Sequence, residues 1–245
     1  MKLSNTAGFT IIETMLFLGI TALLVTGILV GTGTSINIQR YRDSVSSLQS
    51  VLQQQYSDAA NVDNDRNNQW ACDSTASPKP APSGGVARGQ SDCVILGRFI
   101  STIDSDTLSI KSIVGYIPSE SILSSNDIDV LKQYNIQVST VTSETYEVEW
   151  GSSLVQPDSG NDMSFSMLIL RSPSSNILRT FINSSEVVDD TDISTLIDPV
   201  GLTQSAKMCV DSNGLFNTAG TAVQIMANAA SASGVEVLGE ATSGC

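Results

Sequence analysis

The chain has 245 residues, of which 41% are hydrophobic and 15% are charged, and its formal net charge at pH 7 is −13. This hydrophobic content is sufficient for a folded core and excludes wholesale disorder. The 25 acidic residues outnumber the 12 basic ones, so nucleic acid is not an expected partner because its phosphates would be repelled. Histidine is absent, which excludes the Ser-His, Cys-His and His-zinc types of site.

The acidic charge lies entirely in the C-terminal three quarters of the chain. Residues 1–8 carry a net charge of +1 and residues 9–60 carry −1. The residues from Asn61 onward contain 9 basic and 22 acidic side chains, and 9 minus 22 gives −13. The first quarter is therefore interpreted as a separate segment.

Residues 9–30 form an apolar run, FTIIETMLFLGITALLVTGILV, with Glu13 as its one charged residue. Roughly 20 mostly apolar residues are needed for a helix to span a membrane. A secretory signal has an apolar core of only about 7–15 residues followed by small residues at the cleavage site, whereas here Ala7 and Gly8 precede the run. The pattern predicts a transmembrane helix over 9–30.

Glu13 is unexpected in such a segment, because a carboxylate inside an apolar span costs about 2.5 kcal/mol or more. One interpretation places it near the membrane face, where it reaches water. The other gives it a functional partner. The residues on either side of Glu13 help to decide between these two interpretations.

The N-terminus resembles the leader and first helix of type IV prepilins and type II secretion pseudopilins, the class III prepilin leader. The family pattern is a short basic leader ending in Gly, a Phe after the cleavage point, a Glu at the fifth mature position and about 20 apolar residues. Lys2, the run GFTIIE at 8–13 and the apolar helix match all four parts. The match is close over the first 30 residues and extends to about residue 60 in helical character. Beyond Asn61 the likeness is only architectural.

The resemblance implies how the protein is processed and where it resides. A prepilin peptidase would remove leader 1–8 by cutting between Gly8 and Phe9, and it would methylate the new amino group of Phe9. The precursor would cross the cytoplasmic (inner) membrane once and later enter an extracellular filament. In that filament Glu13 would pair with the Phe9 amine of a neighbouring copy, so the pair would set the stagger between subunits.

A structural filament subunit, a pilin, is therefore the expected function, and neither catalysis nor a cofactor is expected. The implied partners are the prepilin peptidase, other copies of the chain, an inner-membrane assembly platform and minor pilins. Three alternatives stay open. One is a minor pilin or pseudopilin of a secretion-like or DNA-uptake system, another is a membrane-anchored extracellular enzyme or binding module, and the third is an adhesin-like or DNA-capturing tip subunit.

The helix is predicted to continue to Ala60, giving an N-terminal helix over 9–60. Gly31–Ser35 interrupts the apolar run, and we favour a continuous helix there over a loop joining two helices. Beyond it, apolar residues recur every three or four positions, which is typical of one face of an amphipathic helix. That face is expected to pack on a sheet and consists of Tyr41, Val45, Leu48, Leu52, Tyr56 and Ala59. The opposite positions carry Arg42, Ser46, Gln49, Gln53 and Ser57.

The remainder is predicted to be a loop over 61–93 and a β-rich head over 94–245, giving an α+β, pilin-like fold with a mostly antiparallel sheet. Thr145–Trp150 alternates cleanly, with Tyr146, Val148 and Trp150 on one predicted face. A short helix is expected over Asn126–Tyr134. The predicted strands are Val94–Ile103, Thr107–Ile117, Asn135–Val141, Thr145–Trp150, Ser164–Arg171, Asn176–Ile182, Ala206–Val210, Ala222–Met226 and Val235–Leu238.

The four cysteines allow three disulfide connectivities. For an exported domain we favour two local pairs, Cys72–Cys93 and Cys209–Cys245, over free thiols or crossed pairs. The first would close the Pro/Gly-rich loop, and the second would hold the C-terminus, as in several pilins and pseudopilins.

No metal is predicted, although two acidic segments were considered for calcium. Asp63–Asn67 begins like a calcium loop, but Asn68 and Ser74 stand where Gly and a bidentate Glu are required. Asp189, Asp190 and Asp192 form a denser cluster, for which a solvated turn is the favoured interpretation.

Overall fold

The computed structural model describes residues 10–61, 70–80, 91, 93–117, 126–214, 220–239 and 242–245. These residues form a long N-terminal helix and a head of antiparallel β-sheets, an α+β architecture. The helices are α1 (Ile11–Ala60), α2 (Asp127–Gln133) and α3 (Pro199–Thr203). The strands are β1 (Trp70–Cys72), β2 (Pro78–Pro80), β3 (Cys93–Thr102), β4 (Thr107–Tyr116), β5 (Asn135–Glu147), β6 (Ser153–Val155), β7 (Ser166–Arg171), β8 (Leu178–Asn183), β9 (Ala206–Asp211), β10 (Thr221–Ile225) and β11 (Val235–Leu238).

Helix α1 is continuous over 50 residues, which corresponds to about 75 Å. It passes through Gly31–Ser35 without a break, so the continuous-helix prediction is confirmed and the alternative of two helices joined by a loop is wrong. Thr10 is its N-cap and Asn61 is its C-cap. The predicted end at Ala60 is therefore confirmed, while Phe9 lies outside the described residues.

The second half of α1 packs on the head through its predicted apolar face. All six members of that face are buried, with exposed fractions between 0% and 5%: Tyr41, Val45, Leu48, Leu52, Tyr56 and Ala59. Two residues from the opposite positions also contact the head. Gln49 and Gln53 donate from Nε2 to the carbonyl of Val235 at 3.2 and 3.1 Å, so two amides one turn apart satisfy a carbonyl of β11.

The larger sheet has five antiparallel strands in the order β5-β4-β3-β7-β8. Its interior strand β7 is buried at every position from Ser166 to Leu170, because both faces of the sheet are covered and no alternation is needed. At Gly97 in β3 a side chain could not fit, since a Cβ atom would lie 1.8 Å from the Ile169 carbonyl oxygen. The glycine therefore permits the close approach of two central strands.

The smaller sheet has four antiparallel strands in the order β11-β10-β9-β6. The buried hydroxyl of Tyr41 joins it to α1 by donating to the Val210 carbonyl at 2.9 Å and accepting from the Thr221 amide at 2.8 Å. Val210 and Thr221 are themselves opposed in the β9–β10 ladder. This tyrosine thus contributes polar bonds as well as apolar area to the docking of the helix.

Two apolar clusters lie on the two faces of the five-stranded sheet. The first joins α1 to both sheets and includes Leu52, Ile100, Phe165 and Val223. The second lies beneath α2 and α3, and its members are Leu96, Phe99, Ile113, Val130, Leu131, Tyr134, Ile136, Val138, Leu168, Leu170, Phe181, Ile193, Leu196, Ile197 and Leu202. The C-terminal half of α1 is therefore an integral part of the head.

A buried carboxylate attaches α2 to the turn between β7 and β8. Asp127, which is 8% exposed, accepts from Arg179 Nη2 at 2.7 Å and Nε at 3.0 Å, and from Ser172 Oγ at 2.6 Å. Desolvation raises the pKa of Asp127, but the hydrogen bonds from Ser172 and Arg179 outweigh it and lower the pKa to about 2.

Two predictions for the middle of the head are wrong. Asn135–Val141 and Thr145–Trp150 are not separate strands, because β5 runs from Asn135 to Glu147 and only bulges opposite Ser112. The strand also ends before Trp150, whose φ of 61° and ψ of 25° place it in a left-handed turn over Glu149–Gly151. A left-handed residue cannot continue a strand, so the predicted shared face with Tyr146 and Val148 does not extend to Trp150.

The predicted loop over 61–93 contains two short strands that the pattern did not indicate. Trp70–Cys72 pairs antiparallel with Pro78–Pro80, and Asp73 stabilises the intervening turn by accepting from the Thr75 amide at 3.0 Å and from the ammonium group of Lys79. These hydrogen bonds, chiefly the one from Lys79, hold the pKa of Asp73 well below its usual range. Three-residue strands next to prolines are too short to give an alternating signal.

Candidate assembly segment

The first half of α1 contacts nothing in the rest of the described chain. Thirteen large apolar side chains between Ile11 and Val30 are between 53% and 76% exposed. Among the described residues α1 is the one helix that is long and apolar enough to cross a membrane, judged by length and composition. This segment requires a covering of lipid or of other protein chains, because so much contiguous apolar surface is not left in water.

The threonines of this segment donate their hydroxyl groups within the chain. Each hydroxyl lies within 3.3 Å of an acceptor three or four residues away: Thr10 (Glu13), Thr14 (Ile11), Thr21 (Phe17), Thr26 (Ala22), Thr32 (Leu29) and Thr34 (Val30). A polar group in an apolar medium must find its partner internally. The threonines are therefore compatible with a segment that leaves water.

Glu13 lies in the first turn of α1 and forms a capping box with Thr10. Its Oε2 accepts from the Thr10 amide and from the Thr10 hydroxyl, each at 2.9 Å, and the Glu13 amide donates to Thr10 Oγ1 at 3.3 Å. The T-x-x-E spacing at 10–13 is a signature of this motif, so the role of Thr10 was accessible from the sequence although we did not predict it.

The predicted cleavage and methylation site, Gly8 and Phe9, lies outside the described residues, as does the whole leader 1–8. The structure therefore shows the environment of Glu13 but not its expected partner. Thr10 is the second residue after the predicted cleavage point, so the capping box would be retained in a processed chain.

Small residues give the apolar segment a second feature that the sequence patterns did not lead us to predict. Gly27 and Gly31 lie one turn apart, and nothing lies within 4 Å of the position that a Cβ atom would occupy at either residue. Glycines at this spacing allow the backbones of two apolar helices to approach closely.

Both favoured cysteine pairs are disulfide-bonded in the structure, Cys72 to Cys93 and Cys209 to Cys245. The second bond attaches the C-terminus to β9, and two hydrogen bonds support it: the Asp158 amide donates to the Gly244 carbonyl at 2.8 Å, and the Lys207 ammonium donates to the Ser243 carbonyl. The head is thereby covalently closed at two places.

In the acidic cluster at 189–192 the carboxylate of Asp190 has a protein partner, whereas the hydrogen bonds of Asp189 and Asp192 involve their backbone carbonyls. Asp190 accepts from Lys111 Nζ at 2.6 Å, at an open groove of about 490 Å³ on the head. The Asp189 and Asp192 carbonyls accept backbone amides of the turn that follows them. Within the described ranges no group of three or more His, Cys, Asp or Glu side chains could hold a metal ion. The other considered segment, Asp63–Asn67, lies outside those ranges.

No protein-family model, curated protein or solved structure matches this chain. The functional argument therefore depends on the N-terminal residues and on the geometry of α1.

Proposed function

We propose that this chain is a structural subunit, a pilin, of a type IV pilus or a related filament. The observation that carries the proposal is the division of one unbroken helix. One face of its second half is buried against the head, while its first half exposes thirteen large apolar side chains. A helix of about 75 Å is far longer than the ~30 Å core of a bilayer, so it can hold the head clear of a membrane or of a filament core.

The proposed pathway begins with a single-pass precursor in the inner membrane. The prepilin peptidase removes leader 1–8 between Gly8 and Phe9 and methylates the amine of Phe9. An assembly platform then transfers the subunit from lipid into the filament, where the apolar halves of neighbouring copies, including minor pilins, cover one another. The resemblance of residues 1–30 to prepilins supports this order of events. The role is structural rather than catalytic.

Glu13 is proposed to set the register between subunits by pairing with the Phe9 amine of a neighbour. The attraction between two such charges in an apolar bundle is largely offset by their desolvation. A wrong stagger, however, leaves a charge unpaired at a cost of about 3–5 kcal/mol. The pair therefore selects one arrangement rather than supplying most of the binding free energy.

The proposal is tested by N-terminal mass spectrometry of purified polymer and by Glu13→Ala. We expect polymer that begins with N-methylated Phe9. Glu13→Ala should leave processing and membrane insertion unchanged but reduce filament incorporation at least a hundredfold, which corresponds to the lower limit of that cost. Thr14→Val is the matched control, because the Thr14 hydroxyl bonds only within its own helix at 2.8 Å.

Different results would contradict different parts of this account. Polymer that retains residues 1–8, or a chain that never polymerises, contradicts the proposed function. An intact Met1 on a surface-exposed chain would favour the membrane-anchored binding module instead. Normal incorporation of Glu13→Ala contradicts only the pairing with Phe9.

A further inference from the structure

The turn Glu149–Gly151 at the base of the head is held rigidly from two sides. Val148, which precedes the turn, is 2% exposed. Ser47 of α1 donates to Glu149 Oε1 at 3.1 Å, and Asn213 donates from Nδ2 to the Gly151 carbonyl at 2.7 Å. The turn therefore presents its central residue, Trp150, in a fixed orientation.

Trp150 is placed in the turn at an energetic cost that its packing in the head does not explain. Its φ of 61° is in the left-handed region, which costs a non-glycine residue about 1–2 kcal/mol. The side chain is nevertheless 49% exposed, so core burial does not offset this strain. Strained residues of this kind are concentrated where a surface is used for recognition or catalysis.

Two residues of α1 extend the surface formed by Trp150. The Arg40 guanidinium lies over the indole ring, 5.0 Å from its centre, and Ile36, one turn earlier on the same helix face, is 48% exposed. We call Ile36, Arg40 and Trp150 the neck platform. Trp and Arg are among the residues most enriched at the positions that dominate protein–protein binding energy.

We propose that the neck platform binds the acidic head of a second copy of this chain. Charge complementarity identifies the occupant: Arg40 gives the three-residue platform a positive charge, whereas the residues from Asn61, which form the head, carry −13. The platform also lies on the same helix as the exposed apolar segment, which the proposed filament covers with other copies. The inference rests on the proposed function and adds to it a contact outside the apolar bundle.

A lipid surface fits the position of the platform less well than a second copy does. Arg40 lies ten residues after Val30, where the apolar run ends, a rise of about 15 Å along a helix. The polar layer on each side of a bilayer is only about 5–8 Å thick. The platform therefore stands above the headgroups when residues 9–30 span the membrane.

The test measures the ratio of sheared filament to membrane-retained subunit for the full-length chain. We expect Trp150→Gly and Arg40→Glu each to lower this ratio at least tenfold, and Arg40→Lys to have an intermediate effect because it keeps the charge without the planar stack. Trp150→Gly removes the indole and also relieves the left-handed strain. The midpoint of thermal unfolding of this variant should therefore be the same as or higher than that of the unmodified chain. Lys132→Glu, an exposed residue of α2, makes the same charge change away from the platform and should leave the ratio unaltered.

The outcomes separate this inference from the function on which it rests. If the unmodified chain forms no filament, both are overturned. If it forms filaments and Trp150→Gly and Arg40→Glu match it, the neck platform alone is overturned. In a Trp70→Phe background Trp150 is the sole tryptophan. Quenching of its fluorescence in vesicles containing brominated lipid would then assign the platform to lipid and overturn the contact between copies.

Discussion

The division of α1 predicts where the chain can be shortened to give a soluble, folded head. A variant that begins at Ser35 keeps every buried residue of the helix, the first of which is Tyr41. It removes all thirteen exposed apolar side chains between Ile11 and Val30. At about 1–2 kcal/mol for the exposed part of each, these side chains represent roughly 13–26 kcal/mol of unfavourable contact with water. We therefore expect the full chain to need detergent and the variant beginning at Ser35 to be monomeric without it.

A second variant that begins at Gln49 provides the matched comparison. It additionally removes Tyr41, Val45 and Leu48, which are 5%, 3% and 0% exposed. Their burial contributes about 6–9 kcal/mol, and the two hydrogen bonds of Tyr41 contribute about 1 kcal/mol each. Since a whole domain is stable by only about 5–15 kcal/mol, this shorter variant should lose cooperative unfolding.

Size-exclusion chromatography without detergent and urea unfolding followed by circular dichroism measure both effects. A variant beginning at Gln49 that unfolds cooperatively at the same urea concentration as the one beginning at Ser35 would refute the claim that α1 completes the core of the head. A full chain that remains monomeric in buffer alone would refute the claim that its first half needs a covering.

Three further predictions concern the head and are made for the soluble variant. Asp127→Asn should destabilise it by about 2 kcal/mol at pH 7. Folding lowers the Asp127 pKa to about 2, so the stabilisation by the ionised Asp127 is complete above pH 4 and disappears as the pH falls from about 4 to 2. The urea midpoints of the soluble variant with and without Asp127→Asn should therefore converge at the low end of this range. Replacing Cys209 and Cys245 by Ser, which opens a separation of 36 residues, should lower the unfolding free energy by about 3–4 kcal/mol. Gly97→Ala should cost about 3 kcal/mol or more, because its Cβ meets a backbone carbonyl at 1.8 Å, whereas Gly239→Ala, with nothing within 4 Å, should fold normally.

The long helix and most of the strands could be predicted from the sequence, because both kinds of element are indicated by the spacing at which apolar residues recur. The spacing of Tyr41, Val45 and Leu48 indicates a buried helical face whatever covers it. The predicted strand Val235–Leu238 matches β11, and the other edges differ by a few residues. The turn at Trp150 could not be predicted, because the alternation over Thr145–Trp150 continues through it and only the backbone angle interrupts the strand.

Tertiary contacts account for the remaining differences. Gln49 and Gln53 occupy polar positions of the helix, yet both satisfy a carbonyl of β11 that is close only in the folded head. The partnership of Asp127 with Arg179 spans 52 residues, and neither residue stands in a local motif that indicates it. The Thr10–Glu13 capping box is the opposite case, because its T-x-x-E spacing would have been sufficient to predict it, although we did not do so.

The capping box also bears on how Glu13 would act during assembly. In the single subunit its carboxylate already accepts two hydrogen bonds from Thr10, each at 2.9 Å, so a subunit waiting in the membrane does not carry a carboxylate without local partners. Both bonds are accepted by Oε2, and bonds to a carboxylate are worth about 1.5–3 kcal/mol each in stability. Because they already stabilise the carboxylate before assembly, the further free energy gained from the proposed pairing with a Phe9 amine is reduced. In the proposed filament a misplaced subunit would leave a Phe9 amine without its carboxylate at a cost of about 3–5 kcal/mol, so the proposed pair would act on register more than on the total binding free energy.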